Sequence, residues 1–418
     1  MSNTLLTVNM ITRRAVMLFK NSNAFIQNLD RQYDDQYAVE GAKIGDTLRI
    51  RLPNDYVVAD GPALSVQDTS EQNTTLTVAY QRHIDIGFTS KERTLSLDDF
   101  EERILAPMMN NLVGNVAAQV MSNVEGGYNG LPGVCNMVVN QDGTGNTIAP
   151  TSSTILLAGA ALSNNSAQTY DRKLVVSPNT MAKTIDTLKG LFNPVGDISK
   201  QYRTAQMYSA LNFKWFEDQT VLSHTTGTFS AGTVNGAGQT GNTLVVNAIT
   251  GTLKKGDIIT IANTGAVNYV NKQSTGALRQ FVLLADAANG ATSLSIYPAI
   301  IPGSGSYDPT TGNGGVQYQT VTVSPANAAA ISLVNKASET YRKNIAYAPQ
   351  AITMVTADLY TPNKGVVESA RAVYDKTAMR MLTSYVPGTD QTVTRLDVLF
   401  GSTMTRPQWA VIVPDTVT

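Results

Sequence analysis

About a quarter of this 418-residue chain, Gly227 to Ala326, holds 15 of its 32 glycines and very few charged residues. Within it, short β-like runs (TLVVNAI, DIITIA, RQFVLLAD, TSLSIYP and QYQTVTV) are separated by Gly- and Asn-rich turns, the pattern of a small β-barrel or sandwich. The flanks read differently. Upstream, Tyr170 to Trp215 is mixed α/β: the strand-like RKLVV ends at Val176, and Ser177-Pro178 then supplies an N-cap and a first-turn proline for NTMAKTIDTLKGLF. Downstream, AAAISLVNKASETYRKN is helix-compatible, and AITMVTAD, MRMLTSYV, VTRLDVLFG and WAVIVPD read as strands. The pattern predicts an all-β module inserted into an α/β domain that resumes after it.

The N-terminal third has three parts. The first 29 residues contain no Asp or Glu and carry Arg13, Arg14 and Lys20. At 100° per residue, Val8, Ile11, Ala15, Leu18, Phe25, Ile26 and Leu29 fall on one side, with Arg13 and Lys20 opposite. This is a basic amphipathic helix, either docked on its own domain or serving as an arm that grips a neighbour. It has no continuous apolar run and no small-residue cleavage site, so it is not expected to be a secretion signal. From Gly45 the period becomes two: Leu48, Ile50 and Leu52 share a face in GDTLRIRLP, and NTTLTVAYQRHIDIGF alternates likewise. About twenty residues without strong periodicity, Pro53 to Gln72, lie between these runs, so the pair reads as a projecting hairpin with a functional loop.

A long helix follows. Ser96 and Asp99 form a capping box, and Asp98, Asp99, Glu101 and Glu102 complement the dipole of the first turn. Phe100, Ile104, Met108, Leu112, Val116, Val120 and Val124 recur every fourth residue, ending before Gly126-Gly127. Roughly 28 residues at 1.5 Å each give a rod about 40 Å long, with a kink expected at Pro107.

Composition excludes several classes. There is no run of about 18 apolar residues for a membrane-spanning helix. The single cysteine, Cys135, forbids an internal disulfide. With 31 Lys+Arg against 32 Asp+Glu, the formal net charge is −1, without the electrostatic footprint of a dedicated nucleic-acid binder. Hydrophobic residues at 42 % argue against wholesale disorder. Charged residues make up only 15 %, so the surface is largely uncharged and polar, which suits extensive subunit contact.

Catalytic patterns fail one by one. Gly236, Gly238 and Gly241 match G-x-G-x-x-G, but a strand-like segment follows where a dinucleotide site needs a helix N-terminus. No P-loop or G-x-S-x-G occurs. His83 and Asp85 share a strand face without a nucleophile on a strained turn. His224 lacks neighbouring metal-ligand residues, and Cys135 lacks a local base. The pairs Asp34-Asp35 and Asp98-Asp99 are adjacent rather than facing. No cofactor and no enzymatic role are expected.

The order of these parts resembles the major capsid (coat) protein of tailed bacteriophages, an α+β fold of the Hong Kong type. GDTLRIRLPNDYVVADGPALSVQD is similar to the ascending strand and tip of that family's E-loop. QRHIDIGFTSKERTLSLDDFEERILAP resembles its return strand leading into the spine helix of the P-domain. LKKGDIITI and VNYVNKQSTGALRQFVLL resemble the barrel I-domain of short-tailed-phage coat proteins, and SYVPGTDQTVTRLDVLFG with RPQWAVIVPD the end of their A-domain. The resemblance implies an N-terminal arm at 1–40, an E-loop at 41–90, a spine helix at 91–127, a first A/P-domain part at 128–225, an I-domain at 226–326 and a second A-domain part at 327–418.

It further implies pentamers and hexamers tiling an icosahedral shell around double-stranded DNA, with a scaffolding protein and a portal protein, assembled in the host cytoplasm without a membrane. By analogy, Arg49, Arg51, Asp55 and Asp60 belong to E-loop subunit contacts. Lys254, Lys255, Asp257, Lys272 and Arg279 are the I-domain charges available for contacts between capsomers. Arg13, Arg14 and Lys20 face the interior, toward an acidic scaffold segment or DNA phosphate. The Lys and Asn cross-linking positions of some relatives have no match here, so a noncovalent shell is expected. A β-rich secreted or tail-associated adhesin would share the Thr/Asn/Gly-rich surface but accounts for neither the rod helix nor the insertion. A hydrolase would need a site that the sequence does not contain.

Overall fold

The computed structural model describes residues 8–21, 23–31, 47–56, 58, 61, 62, 64, 66, 72–89, 104–127, 130–188, 209–303, 316–362, 368–374 and 376–417. The chain forms two compact units, each made of several stretches. One comprises 1–49, 75–121 and 352–403, and the other 50–74, 122–351 and 404–418.

In the first unit, helix α1 (Val8–Asn21) packs on strands β15 (Glu368–Tyr374) and β16 (Thr377–Val386). Thr12, Ala15, Val16 and Phe19, spaced i, i+3, i+4 and i+7, are its fully buried face. This decides between the two readings of the basic segment: within the chain it is a docked helix. The buried face is also rotated from the expected one, because Val16 and Phe19 go inward while Leu18 stays partly exposed. Asn23 then caps α2 (Ala24–Gln27), which buries Phe25 and Ile26.

Strand β3 (Tyr80–Thr89) pairs with β17 (Gln391–Met404) along ten residues, from Gln391 opposite Thr89 to Phe400 opposite Tyr80. β17 also pairs with β16, which pairs with β15, and β14 (Ile352–Ala357) completes the sheet. The expected second hairpin strand is therefore two strands. β2 (Asn73–Thr77) pairs with β1 (Thr47–Arg51), and after a break at Val78 and Ala79 the chain joins a different sheet as β3.

Helix α3 runs from Ala106 to Gly126, 21 residues, about 32 Å at 1.5 Å each. Pro107 is the second residue of α3, which immediately follows a π-helical stretch at Ile104 and Leu105, and the residues just before Ile104 lie outside the described ones. Met108, Leu112, Val116, Val120 and Val124 are buried as the four-residue stripe requires, with a second buried row at Met109, Val113, Ala117 and Met121. The proposed cap at Ser96, Asp98 and Asp99 lies outside the described residues, as does Asp34-Asp35.

The second unit centres on a six-stranded sheet of order β18-β13-β4-β6-β5, with β7 also on β13. Its strands are β4 (Lys173–Val176), β5 (Ser209–Ala210), β6 (Phe213–Glu217), β7 (Ser223–Thr225), β13 (Thr340–Tyr347) and β18 (Ala410–Thr416). Helix α4 (Ser152–Asn164), which the sequence patterns did not single out, starts at a Thr151–Thr154 capping box. Helix α5 (Pro178–Leu188) starts where expected, with the Ser177 hydroxyl accepting the Thr180 N–H at 3.2 Å.

AAAISLVNKASETYRKN is not a helix. It supplies the short strand β12 (Ile331–Leu333) and the start of β13. β13 is the strand onto which β18, β4 and β7 all pair, and that burial outweighs local helix propensity. The stretch 327–418 is likewise not one domain segment, since 352–403 belongs to the first unit and only 404–418 returns to the second.

The glycine-rich region is a barrel with its own core. Strands β8 (Gly241–Val245), β9 (Ile258–Val267), β10 (Ser274–Leu283), β11 (Ser293–Ile300) and β12 lie in the order β12-β9-β10-β11-β8. The ends are joined by the segment around Val234, which bridges Ala330 through Thr233 on one side and Val246 on the other. Phe229, Leu244, Ile259, Phe281, Ile296, Val321 and Ile331 share one cluster, so the module's core extends past Ala326. QYQTVTV forms a 3₁₀ turn at Val316–Tyr318 and a single bridge at Val321 rather than a strand. Gly251, at φ +89°, sits where a Cβ would meet the Thr228 carbonyl oxygen at 2.3 Å, so this turn admits no side chain.

Candidate functional site

Three sets of residues were expected to carry contacts, and the structure treats them differently. On the β1–β2 ribbon, Ile50 and Leu76 are buried while Arg49 and Arg51 face outward, as the period of two dictates. Asp55, just past β1, is exposed, and the cations facing its carboxylate are Lys272 and Arg406. Asp60 lies outside the described residues. The loop carries a feature that no sequence pattern flagged. Tyr56, Val58, Leu64 and Val66 are 60, 90, 92 and 80 % exposed, the last three among the most exposed large apolar side chains described. Apolar residues in a loop without periodicity leave no signal beyond their presence, and only the fold shows that the second unit leaves them uncovered.

The charges of the β module divide. Lys254 and Lys255 are exposed, with Lys255 Nζ donating to the Gly127 carbonyl at 3.1 Å. Lys272 is partly exposed and donates to the Gln317 carbonyl at 2.6 Å. Asp257 and Arg279 are not surface charges. Asp257 is fully buried: its Oδ1 lies 2.7 Å from His224 Nε2, and its Oδ2 accepts the backbone N–H groups of Gly227 and Lys254 at 3.1 and 2.8 Å. Arg279 is 3 % exposed and donates to the Tyr269 hydroxyl at 3.2 Å. Asp257 is held inside by these three partners, whereas Arg279 Nε has no hydrogen-bond partner among the described residues. In the arm, Arg13 and Arg14 are exposed on α1, while the Lys20 side chain lies outside the described residues.

The candidate catalytic groups fall on separate elements. His83 Nδ1 lies 3.0 Å from Asp85 Oδ2 on the exposed face of β3. Beside it an open groove of about 380 Å³ is lined, among the described residues, by Arg82, His83, Ile84, Asn111, Leu112 and Asn115. Arg82 is committed there to Asn115 and Gln119, at 2.9 and 3.1 Å. Cys135 is buried, and burial pushes its thiol up to about 11, so it stays protonated at neutral pH. Gly236, Gly238 and Gly241 lead into strand β8 rather than a helix. Among the described residues no group of three or more His, Cys, Asp or Glu side chains gathers as for a metal ion, and no helix is long and apolar enough to cross a membrane.

What the geometry offers is contact surface: a ribbon with two outward arginines, a loop of uncovered apolar side chains, and scattered exposed cations. Among known proteins, the family model for P22 coat protein (gene protein 5) matches residues 42–412. No curated protein sequence matches the chain. Solved structures to which this chain is similar include that of Mycobacterium phage Che8, at 9 % identity, TM-score 0.44, covering 94 % of this chain and 90 % of that one. The capsid structure of cyanophage P-SCSP1u is similar at 12 % identity, TM-score 0.43, over 94 and 90 % of the two chains. The capsid of Ralstonia phage GP4 is similar at 6 % identity, TM-score 0.45, over 90 and 84 %.

Proposed function

We infer from the family to which this chain belongs, P22 coat protein, that it is a major capsid protein whose copies build an icosahedral shell. The observation that carries this is the family match over residues 42–412, nearly the whole chain. Its role in that family is structural, and its place is the virion capsid.

Finer statements are our reading. The shell is built from pentamers and hexamers, encloses double-stranded DNA without sequence specificity, and is assembled with a scaffolding protein and a portal protein in the host cytoplasm. The β1–β2 ribbon and its loop act as the E-loop, laid on a neighbouring subunit. The exposed Arg49, Arg51 and Asp55, with the uncovered Tyr56, Val58, Leu64 and Val66, support this, because a subunit in a closed ring buries such side chains. The barrel acts as the I-domain, supported by its separate core, with Lys254, Lys255 and Lys272 as its candidates for contacts between capsomers. Arg13, Arg14 and Lys20 meet an acidic scaffold segment or DNA phosphate.

The test is sedimentation velocity with negative-stain microscopy on the protein expressed alone and with its candidate scaffold. Closed shells, open spirals or curved sheets are expected. A persistent monomer or small oligomer under both conditions overturns the reading and returns the adhesin alternative. For the arm, reversing all three charges is expected to impair scaffold-dependent assembly, and unchanged assembly rejects that role.

A further inference from the structure

At the root of the barrel, the buried side chains of Lys343, Glu125 and Asp257 come together with the partly exposed His224. Lys343 on β13 is 3 % exposed, and its Nζ donates to the carbonyl oxygen of Glu125 at 3.2 Å. Glu125, in the last turn of α3, is also 3 % exposed, and its Oε1 has no hydrogen-bond partner. Asp257, in the turn before β9, lies against His224 on β7. Gly256 packs between the two bases: a Cβ there would stand 3.4 Å from Lys343 Nζ and 3.5 Å from His224 Cε1. Tyr341 on β13 meets the His224 ring edge-on, with centroids 5.7 Å apart. Burial pushes the Glu125 carboxyl up to about 8 against the opposing pull of Lys343 and the Leu222 N–H. The Lys343 ammonium is pushed down by burial against Glu125 and Asp257.

The position of this cluster gives it meaning. The chain enters and leaves the barrel through two adjacent segments, tied where the Thr226 N–H reaches the Glu339 carbonyl at 2.9 Å. The cluster lies where this neck meets the end of the long helix. Apolar side chains of similar volume would hold a neck at least as tightly as buried polar groups, so a buried polar cluster at such a junction is better suited to fixing one geometry than to adding stability.

We propose that Lys343 is a buried polar joint coupling the last turn of the long helix to the root of the β-barrel: its ammonium binds the Glu125 carbonyl on one side and packs against Gly256, in the turn that Asp257 and His224 hold, on the other. Loosening either side then loosens the other.

Hydrogen exchange on the full chain tests this with Lys343→Met, Glu125→Gln and the double variant. The reporters are the Gly227 and Lys254 amides, bound to Asp257, and the Val134 amide, bound to the Val124 carbonyl at the helix end. Lys343→Met is expected to raise exchange about tenfold or more at both sets while the Phe281 amide in the barrel core is unchanged. Glu125→Gln, which leaves the bond from Lys343 to the Glu125 carbonyl in place, is expected to stay near the wild-type rates, and the double variant to match Lys343→Met. Disturbance of one set alone or of neither by Lys343→Met, or of both sets by Glu125→Gln as much as by Lys343→Met, overturns the joint. If Lys343→Met does not fold, native-state exchange of the unaltered chain in rising urea is expected to show one shared opening for the two sets, and separate openings overturn the proposal.

Discussion

Gln280 and Met137 are joined as if one were a strand: the Met137 N–H donates to Gln280 Oε1 at 2.7 Å, and Gln280 Nε2 donates to the Met137 carbonyl at 2.8 Å. The neighbours of Met137 explain why. The Val138 N–H reaches the Ile412 carbonyl at 3.0 Å, and the Asn136 carbonyl accepts the Ile412 N–H at 2.8 Å. Along an extended chain successive backbone groups point to opposite sides, so Met137 turns its own pair away from β18. A barrel side chain completes the edge.

Gln280→Ala therefore leaves a buried N–H and C=O without partners. A loss of about 1–3 kcal/mol is expected in urea unfolding. A loss below about 0.3 kcal/mol would mean that water replaces the amide at no cost.

Arg172 makes the same point with a charge. It is 2 % exposed, and among the described residues no carboxylate accepts its hydrogen bonds. Its guanidinium donates to the carbonyls of Gln168, Gly159 and Ala167 at 2.7, 2.9 and 3.1 Å and to Ser163 Oγ at 3.0 Å. These acceptors lie at the C-terminal end of α4, where the helix dipole is negative. Arg172→Met is expected to cost about 3 kcal/mol or more, read by thermal or urea unfolding, because four acceptors are stranded at once. Arg172→Lys keeps the charge but not the planar fork, and is expected to recover only part of that loss.

Asp142 governs an acid-sensitive loop. Its Oδ1 accepts from the Thr144 hydroxyl at 2.7 Å and from the N–H groups of Thr144 and Asn146 at 2.8 and 2.9 Å. These bonds, the Thr144 hydroxyl foremost, hold its carboxyl down at about 2. A carboxyl lowered by folding stabilises the loop above its ordinary value of 3.8, and that contribution is lost as the pH falls through about 2. A carbon-detected titration is expected to place the Asp142 midpoint near 2, and Asp142→Asn to abolish the loop's response to acid. A midpoint near 3.8 would show that the hydrogen bonds do not persist in solution.

The uncovered loop separates folding from assembly. Leu64→Asp with Val66→Asp is expected to change subunit stability by no more than about 0.5 kcal/mol, since both side chains already face water. Light scattering on the same protein is expected to show assembly lost. Retained assembly at wild-type rate would remove these two residues from the subunit contact.

Much of the fold is legible locally. Alternation of two places β1 and β3, the four-residue stripe places the buried rows of α3, and Ser177-Pro178 starts α5. The glycine-rich turns mark the barrel. Each signal is a relation between residues a few positions apart, and the backbone geometry that reads it is set within one element.

Other features were decided only by tertiary structure. β13 reads as helix-compatible, yet three partner strands bury it as the centre of a sheet. Asp257 and Arg279 read as the few charges of a surface module, yet the chain folds both inside, with His224, 33 positions back, against Asp257 and the Tyr269 hydroxyl against Arg279. The arm helix reads equally well as docked or reaching, and β15 and β16, more than 340 residues further on, cover its buried face. A side chain's exposure depends on what the rest of the chain brings to it, and a sequence pattern records only its neighbours along the backbone.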